Sequence, residues 1–199
     1  MKPTNKLMKR LSLYLFLILF ALQTPSWADD IRDFQIEGMS VGDSLLNFYS
    51  ENEIKNLEIT IYQNQTDEYI MLSGAKDKSQ EYDALAFHVK KDDKQYIIHS
   101  LRGYIYYKKK FDECLNKKKE VVNSLNSSFG NLKSTEYDYK YKWDLKSIAY
   151  ISDFDFKNGS VRVYCVNWSE FAENERNFAD NLSVSISPDY FFKWLNAVK

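Results

Sequence analysis

Two periods run through the chain. Between Lys109 and Ser128, apolar side chains recur at three and four residues: Phe111, Cys114, Leu115, Val122, Leu125 and Phe129. That spacing predicts a helix with one apolar stripe, closed by Gly130. Lys117, Lys118 and Lys119 are consecutive, so they spread around its solvated face. Elsewhere the period is two. "IAYISDFDFKNGSVRVYCVNW" alternates on both sides of Asn158-Gly159, which predicts a β-hairpin with a type I′ turn. In that register Phe156 faces Val161, Phe154 faces Val163, Ser152 faces Cys165, and Asp155 pairs with Arg162. A second hairpin is expected in "YDALAFHVKKDDKQYIIHSLRGYIYY", with Asp92-Asp93 at the tip and residue 88 facing 97. Leu85, Phe87 and Val89 then share a core face with Tyr96 and Ile98, and His88 and His99 occupy the other face as surface or groove histidines.

Shorter elements fill the rest. Phe34 to Glu37 reads as a strand leading into a turn. Asp43 is expected to cap a helix whose apolar side is Leu45, Leu46, Phe48 and Tyr49. Ser50 and Glu53 form a capping box ahead of a short helix carrying Ile54. Residues 67–73 read as a strand, and Leu182, Val184 and Ile186 alternate in another. The last helix is expected to open with Ser187 as cap and Pro188 at its first position, with an apolar stripe of Phe191, Trp194, Leu195 and Val198.

One stretch has no period at all. Leu11 to Leu22 is almost wholly apolar, follows Lys2, Lys6, Lys9 and Arg10, and precedes "QTPSWA". This pattern predicts a signal peptide over residues 1–28, cut after Ala28. Twelve helical residues reach only about 18 Å, against roughly 30 Å of hydrocarbon, although a retained N-terminal anchor is the alternative. The expected mature protein, residues 29–199, keeps 23 basic and 28 acidic residues, a formal charge of −5. An acidic exported protein has no basic face for phosphate backbones, which argues against nucleic acid. No segment of the mature chain is expected to span a membrane.

Export places Cys114 and Cys165, the two cysteines of the chain, in an oxidising compartment where they are expected to pair. The long helix and the hairpin aim both sulfurs at the same layer; two buried free thiols are the alternative. His88 and His99 lack a third ligand at useful spacing, so no metal site is expected. "DFDFKNGS" fails as a calcium loop because Lys157 and Tyr164 stand where ligands are needed. No phosphate-binding glycine loop is present, and no cofactor is expected.

"YDYKYKW" sets Tyr137, Tyr139, Tyr141 and Trp143 on alternate positions. Extended, they form an aromatic ribbon suited to sugar rings, peptides or lipid headgroups. The alternatives are a strand whose rings pack on its own core, or a loop. Gly42-Asp43-Ser44-Leu45 is similar to the run for which one family of serine hydrolases is named. That resemblance implies a Ser44 nucleophile with a late histidine as base. The chain has no histidine after His99, and Leu85 and Tyr96 stand where an aspartate would precede His88 and His99. A serine without a base is a weak nucleophile.

"DFQIEGMSVGDSLLNFYSENEIK", "FDECLNKKKEVVNSL", "VRVYCVNWSE" and "LSVSISPDYFFKWL" resemble recurring blocks of exported proteins from AT-rich bacteria, a group with no assigned activity. Lysine outnumbers arginine 22 to 5, in keeping with such a genome. The resemblance implies a shared scaffold that includes the N-terminal cap and both cysteines. The "GMSVGDS" turn is also similar to openings of small envelope-assembly and enzyme-inhibitor domains. The expectation is one α+β domain: an antiparallel sheet of hairpins covered by a long central helix and a C-terminal helix, with one disulfide. Its expected role is non-catalytic, a periplasmic or secreted protein that binds an envelope protein, a glycan or a lipid headgroup.

Overall fold

The computed structural model describes residues 30–62, 68–74, 79, 81–129 and 133–197. The expected signal peptide, the Gly130 stop and Val198 lie outside the described residues. Among these residues eight strands make one antiparallel sheet: β1 (Glu58–Ile61), β2 (Tyr69–Ser73), β3 (Ala84–Lys90), β4 (Ser100–Tyr106), β5 (Thr135–Tyr141), β6 (Asp144–Phe156), β7 (Gly159–Asn167) and β8 (Asn181–Pro188). Their spatial order is β1-β2-β3-β4-β8-β7-β6-β5. Two meanders thus meet at β4 and β8. Among the described residues four helices accompany the sheet: α1 (Glu51–Lys55), α2 (Phe111–Ser128), α3 (Glu170–Arg176) and α4 (Asp189–Ala197). The mixed α+β class agrees with the sequence expectation.

The 18-residue α2 leads from β4, inside the sheet, to β5 at its edge and lies against β7 and β8. Its Cys114 bonds Cys165 of β7, with Cα atoms 6.1 Å apart and both residues fully buried. Around the bridge, Val161, Val163, Leu182, Ile186, Leu101, Leu85 and Phe87 build the main core. Each such side chain contributes about 2 kcal/mol by leaving water. The N-terminal segment closes the same side, where Phe34 meets Phe129 and Phe156 at ring distances of 4.6 and 4.4 Å. α4 packs against β7 and β8 from the opposite face, through Phe191.

Neither hairpin keeps the expected register; β6–β7 shifts by two residues and keeps its faces, whereas β3–β4 shifts by three, so Leu101 rather than Ile98 faces Phe87. In β6–β7, Phe156 pairs with Gly159, Phe154 with Val161, Tyr150 with Cys165, and Asp153 rather than Asp155 with Arg162. The turn is Lys157–Asn158, neither at positive φ, so it is not type I′. The cause is the neighbouring strand. A Cβ on Gly159 would stand 2.5 Å from the Ser187 carbonyl oxygen and 2.7 Å from the Pro188 Cα, so glycine is needed inside β7. In β3–β4, Phe87 pairs with Leu101 and His88 with Ser100. Residues 93–98 do not extend that hairpin because the N-terminal segment captures them. Gly42 N donates to Ile98 O, Ile98 N to Asp43 O, and Leu45 N to Tyr96 O, at 2.8, 2.8 and 3.1 Å.

That capture also shortens the first expected helix to a 3₁₀ turn over Leu45–Asn47. Its cap is Ser44, whose Oγ accepts from Leu46 N at 3.2 Å, while the Asp43 carboxylate accepts from Ser40 N at 2.8 Å. The Phe34–Glu37 strand is a single bridge between Ile36 and Met39 across a Glu37–Gly38 turn. The Ser50–Glu53 capping box is present as expected. Ser187 does not cap the last helix. Ser187 and Pro188 belong to β8, and the Ser187 hydroxyl meets the Ser100 hydroxyl at 2.7 Å.

Candidate functional site

The face of the sheet away from α2 carries the side chains expected to bind. β5 is an edge strand, so its rings have a neighbour on one side only. Tyr139 and Trp143 are 37% and 41% exposed, which places them outside the core. Tyr141 is more covered and packs on Trp168 at 4.8 Å. Trp143 lies nearly parallel to Trp168 at 5.9 Å, and Phe178 meets Trp168 at 4.6 Å. The Arg176 guanidinium sits 4.5 Å above the Trp143 ring. Tyr139 and Tyr141 meet edge-on at 5.3 Å. The result is an aromatic ledge at one corner of the sheet, with a cation on its rim.

Tyr137 stands apart from the ledge. Its hydroxyl donates to Asp153 Oδ2 at 3.2 Å, beside the Asp153–Arg162 ion pair. Sequence reasoning missed Trp168, Arg176 and Phe178. Trp168 was accessible to it, since it follows Val166 by two residues and so continues the same face of β7 past its end. Arg176 and Phe178 were not, because α3 brings them back from a different element.

A polar knot holds the ledge. Asp144 Oδ2 accepts from the hydroxyls of both Ser147 and Ser169, and Ser169 N donates to Ser147 Oγ at 3.0 Å. Trp168 N donates to Asp180 Oδ1 at 2.8 Å. Trp143 and Trp168 each precede a member of this knot, so their backbones are fixed in place. The Ser147 and Ser169 hydroxyls hold the Asp144 carboxyl below its ordinary pKa. Burial, then Tyr164, raises the Tyr141 phenol, which is neutral at physiological pH.

Ser44 lies elsewhere. Its Oγ donates to Gln95 O at 2.5 Å and accepts from Leu46 N. His88, expected at a surface or groove, is buried instead, and its Nε2 lies 2.8 Å from the Tyr62 hydroxyl. Burial, with Arg102 second, pushes its pKa down to about 3, so the ring is neutral. His99 is partly buried and its Nδ1 lies 2.9 Å from the Tyr190 hydroxyl. Among the described residues no group of three His, Cys, Asp or Glu could hold a metal ion. No helix among them is long and apolar enough to cross a membrane. The open depression beside Tyr106, about 610 Å³ and lined by Asp83, Lys108, Lys110 and Glu113, lies apart from the ledge residues.

No protein family, curated protein or solved structure matches this chain.

Proposed function

We propose that the protein is an exported, non-catalytic binding protein of the bacterial envelope, and that its ledge of Tyr139, Tyr141, Trp143, Trp168 and Phe178 holds a glycan. The observation that carries this reading is the exposure of Tyr139 and Trp143 on a backbone fixed by the Asp144 knot. Core rings would be covered, and rings on a loose loop would not be pre-positioned for a ligand. An open ledge with near-parallel indoles suits the flat apolar face of a sugar better than a deep pocket does. The disulfide is compatible with export. The Ser44 hydroxyl, committed to the Gln95 carbonyl, supports a non-catalytic role over a serine hydrolase.

The test is retention of purified protein on insoluble cell-wall glycan, with Trp143→Ala as the probe. Truncating an aromatic anchor costs on the order of 2 kcal/mol, so affinity should fall about thirtyfold. Urea stability should stay within about 1 kcal/mol, because Trp143 is outside the core. Retention that Trp143→Ala leaves unchanged refutes the ledge.

A further inference from the structure

On the same face, toward the middle of the sheet, lies a charge that the ledge does not explain. Arg102 of β4 stands between Ala86 of β3 and Ser185 of β8 in the strand register. Ala84, Ala86, Ser183 and Ser185 leave little side-chain bulk around it, and all four are at most 5% exposed. Its guanidinium lies 5.8 Å from the Tyr104 ring and 5.6 Å from the Tyr164 ring. Nη1 donates to the Tyr104 hydroxyl at 3.3 Å, a long bond. Nε is enclosed and has no hydrogen-bond partner. Two other arginines hold carboxylates, Arg32 on Asp30 and Arg162 on Asp153. Among the described residues Arg102 has none.

Arg102 is partly buried; covering a guanidinium without a counter-ion is costly, and ring faces recover about 0.5–2 kcal/mol of that. The unused Nε–Nη2 edge is the one that meets an oxyanion with two parallel hydrogen bonds. The orphaned Nε is thus a donor without an acceptor, on a face already rich in hydroxyls. Tyr104 offers one at Nη1. Tyr164, whose ring lies beside the guanidinium, carries another, and Tyr62 a third, 2.8 Å from His88 Nε2.

We propose that Arg102 anchors a binding site for one oxyanion group, a carboxylate or a phosphate, with the Tyr62, Tyr104 and Tyr164 hydroxyls around it. Tyr164 clusters with Tyr141 and Trp168 of the ledge, so the site adjoins that surface. The oxyanion therefore has two possible sources. It is either the acid group of a saccharide lying on the ledge or free phosphate. The anchor stands on the geometry of Arg102; the saccharide source rests on the ledge reading.

The test follows the Arg102 Nε–H resonance of the ¹⁵N-labelled, disulfide-intact protein on titration with inorganic phosphate, glucuronate, glucose 6-phosphate and glucose. The expected result is a shift with an acidic probe and none with glucose. Either acidic sugar binding at least tenfold tighter than inorganic phosphate assigns the acid to the ledge ligand; the reverse order assigns free phosphate. Arg102→Lys keeps the charge and loses the fork, and should weaken binding at least tenfold; Arg102→Gln should abolish the preference for acid over glucose. If no acidic probe moves the resonance, the anchor is overturned even where glucose binds and the ledge stands. If Trp143→Ala loses glycan while the phosphate shift persists, the two sites are separate and the anchor holds. The shift in the unmodified protein decides the matter even if both variants fail to fold.

Discussion

His88 should make this protein lose stability in mild acid. The imidazole is 2% exposed, beneath Phe191 of α4, with Tyr62 and Arg102 as its polar neighbours. Its folded pKa is about 3, against 6.5 in an unfolded chain. Between those values the unfolded chain binds a proton that the folded chain refuses. Stability is therefore whole above about pH 6.5 and falls as the pH drops toward 3, by about 1.4 kcal/mol per pH unit. At pH 5 the loss from this one group is about 2 kcal/mol. Carboxylates that the fold favours in their charged form, such as Asp144 and Glu136, start from 3.8 and 4.5 and lose their contributions lower down. Glu81 and Asp180, whose carboxyl pKa values burial raises, are present in both proteins compared below and cancel. The perturbation is His88→Phe, which keeps a ring against Phe191 and removes the titration. Urea unfolding followed by tryptophan fluorescence, at pH 7, 6 and 5, measures both proteins. The unmodified protein should lose about 2 kcal/mol more than His88→Phe over that interval. His99, half-buried and with a lowered pKa, is present in both and cancels. Parallel pH dependences would show that His88 titrates alike in both states, and the burial argument would fail.

Three further perturbations probe the scaffold. Replacing Cys114 and Cys165 together, which opens a loop of 51 residues, should lower stability by about 4 kcal/mol in urea titration, on the chain-entropy account of the bridge. Gly159→Ala should cost roughly 1–3 kcal/mol or more, because the new methyl meets backbone of β8 rather than a flexible side chain; an unchanged urea midpoint would contradict the strand register. Ser44→Ala should cost about 1 kcal/mol through the lost cap and leave glycan retention intact, whereas a loss of esterase activity with folding preserved would restore the hydrolase reading.

What depended on neighbours in sequence was legible from sequence. The Ser50–Glu53 box, the stripe on α2 and the alternation in β6, β7 and β8 all arise within one element, and each is present. The pairing of Cys114 with Cys165 was legible too, because two separate periods aimed both sulfurs at one layer. In β6–β7 the strand faces survived although the register failed. A shift of two residues, as in β6–β7, returns every side chain to the same side of the sheet. Tyr139 and Trp143 could be picked out as a ribbon, but whether they met solvent depended on β5 being an edge strand.

The remainder required partners far away in the chain. Gly159 is drawn out of its turn by the β8 backbone, and residues 93–98 are drawn out of their hairpin by Gly42, Asp43 and Leu45. Trp168 and Phe178 join Trp143 only because β6, β7 and α3 return to one corner. Arg102 is an ordinary strand residue by sequence; β8 beside β4, with β7 next to it, sets Ser185 and Tyr164 around it and, among the described residues, leaves it without a carboxylate. Local order follows from the backbone's own periods, so the sequence alone determined the long helix α2, the Ser50–Glu53 box, the faces of β6 and β7, and the bridge. Register and neighbourhood are set by contacts between segments tens of residues apart, and those the tertiary structure alone decided.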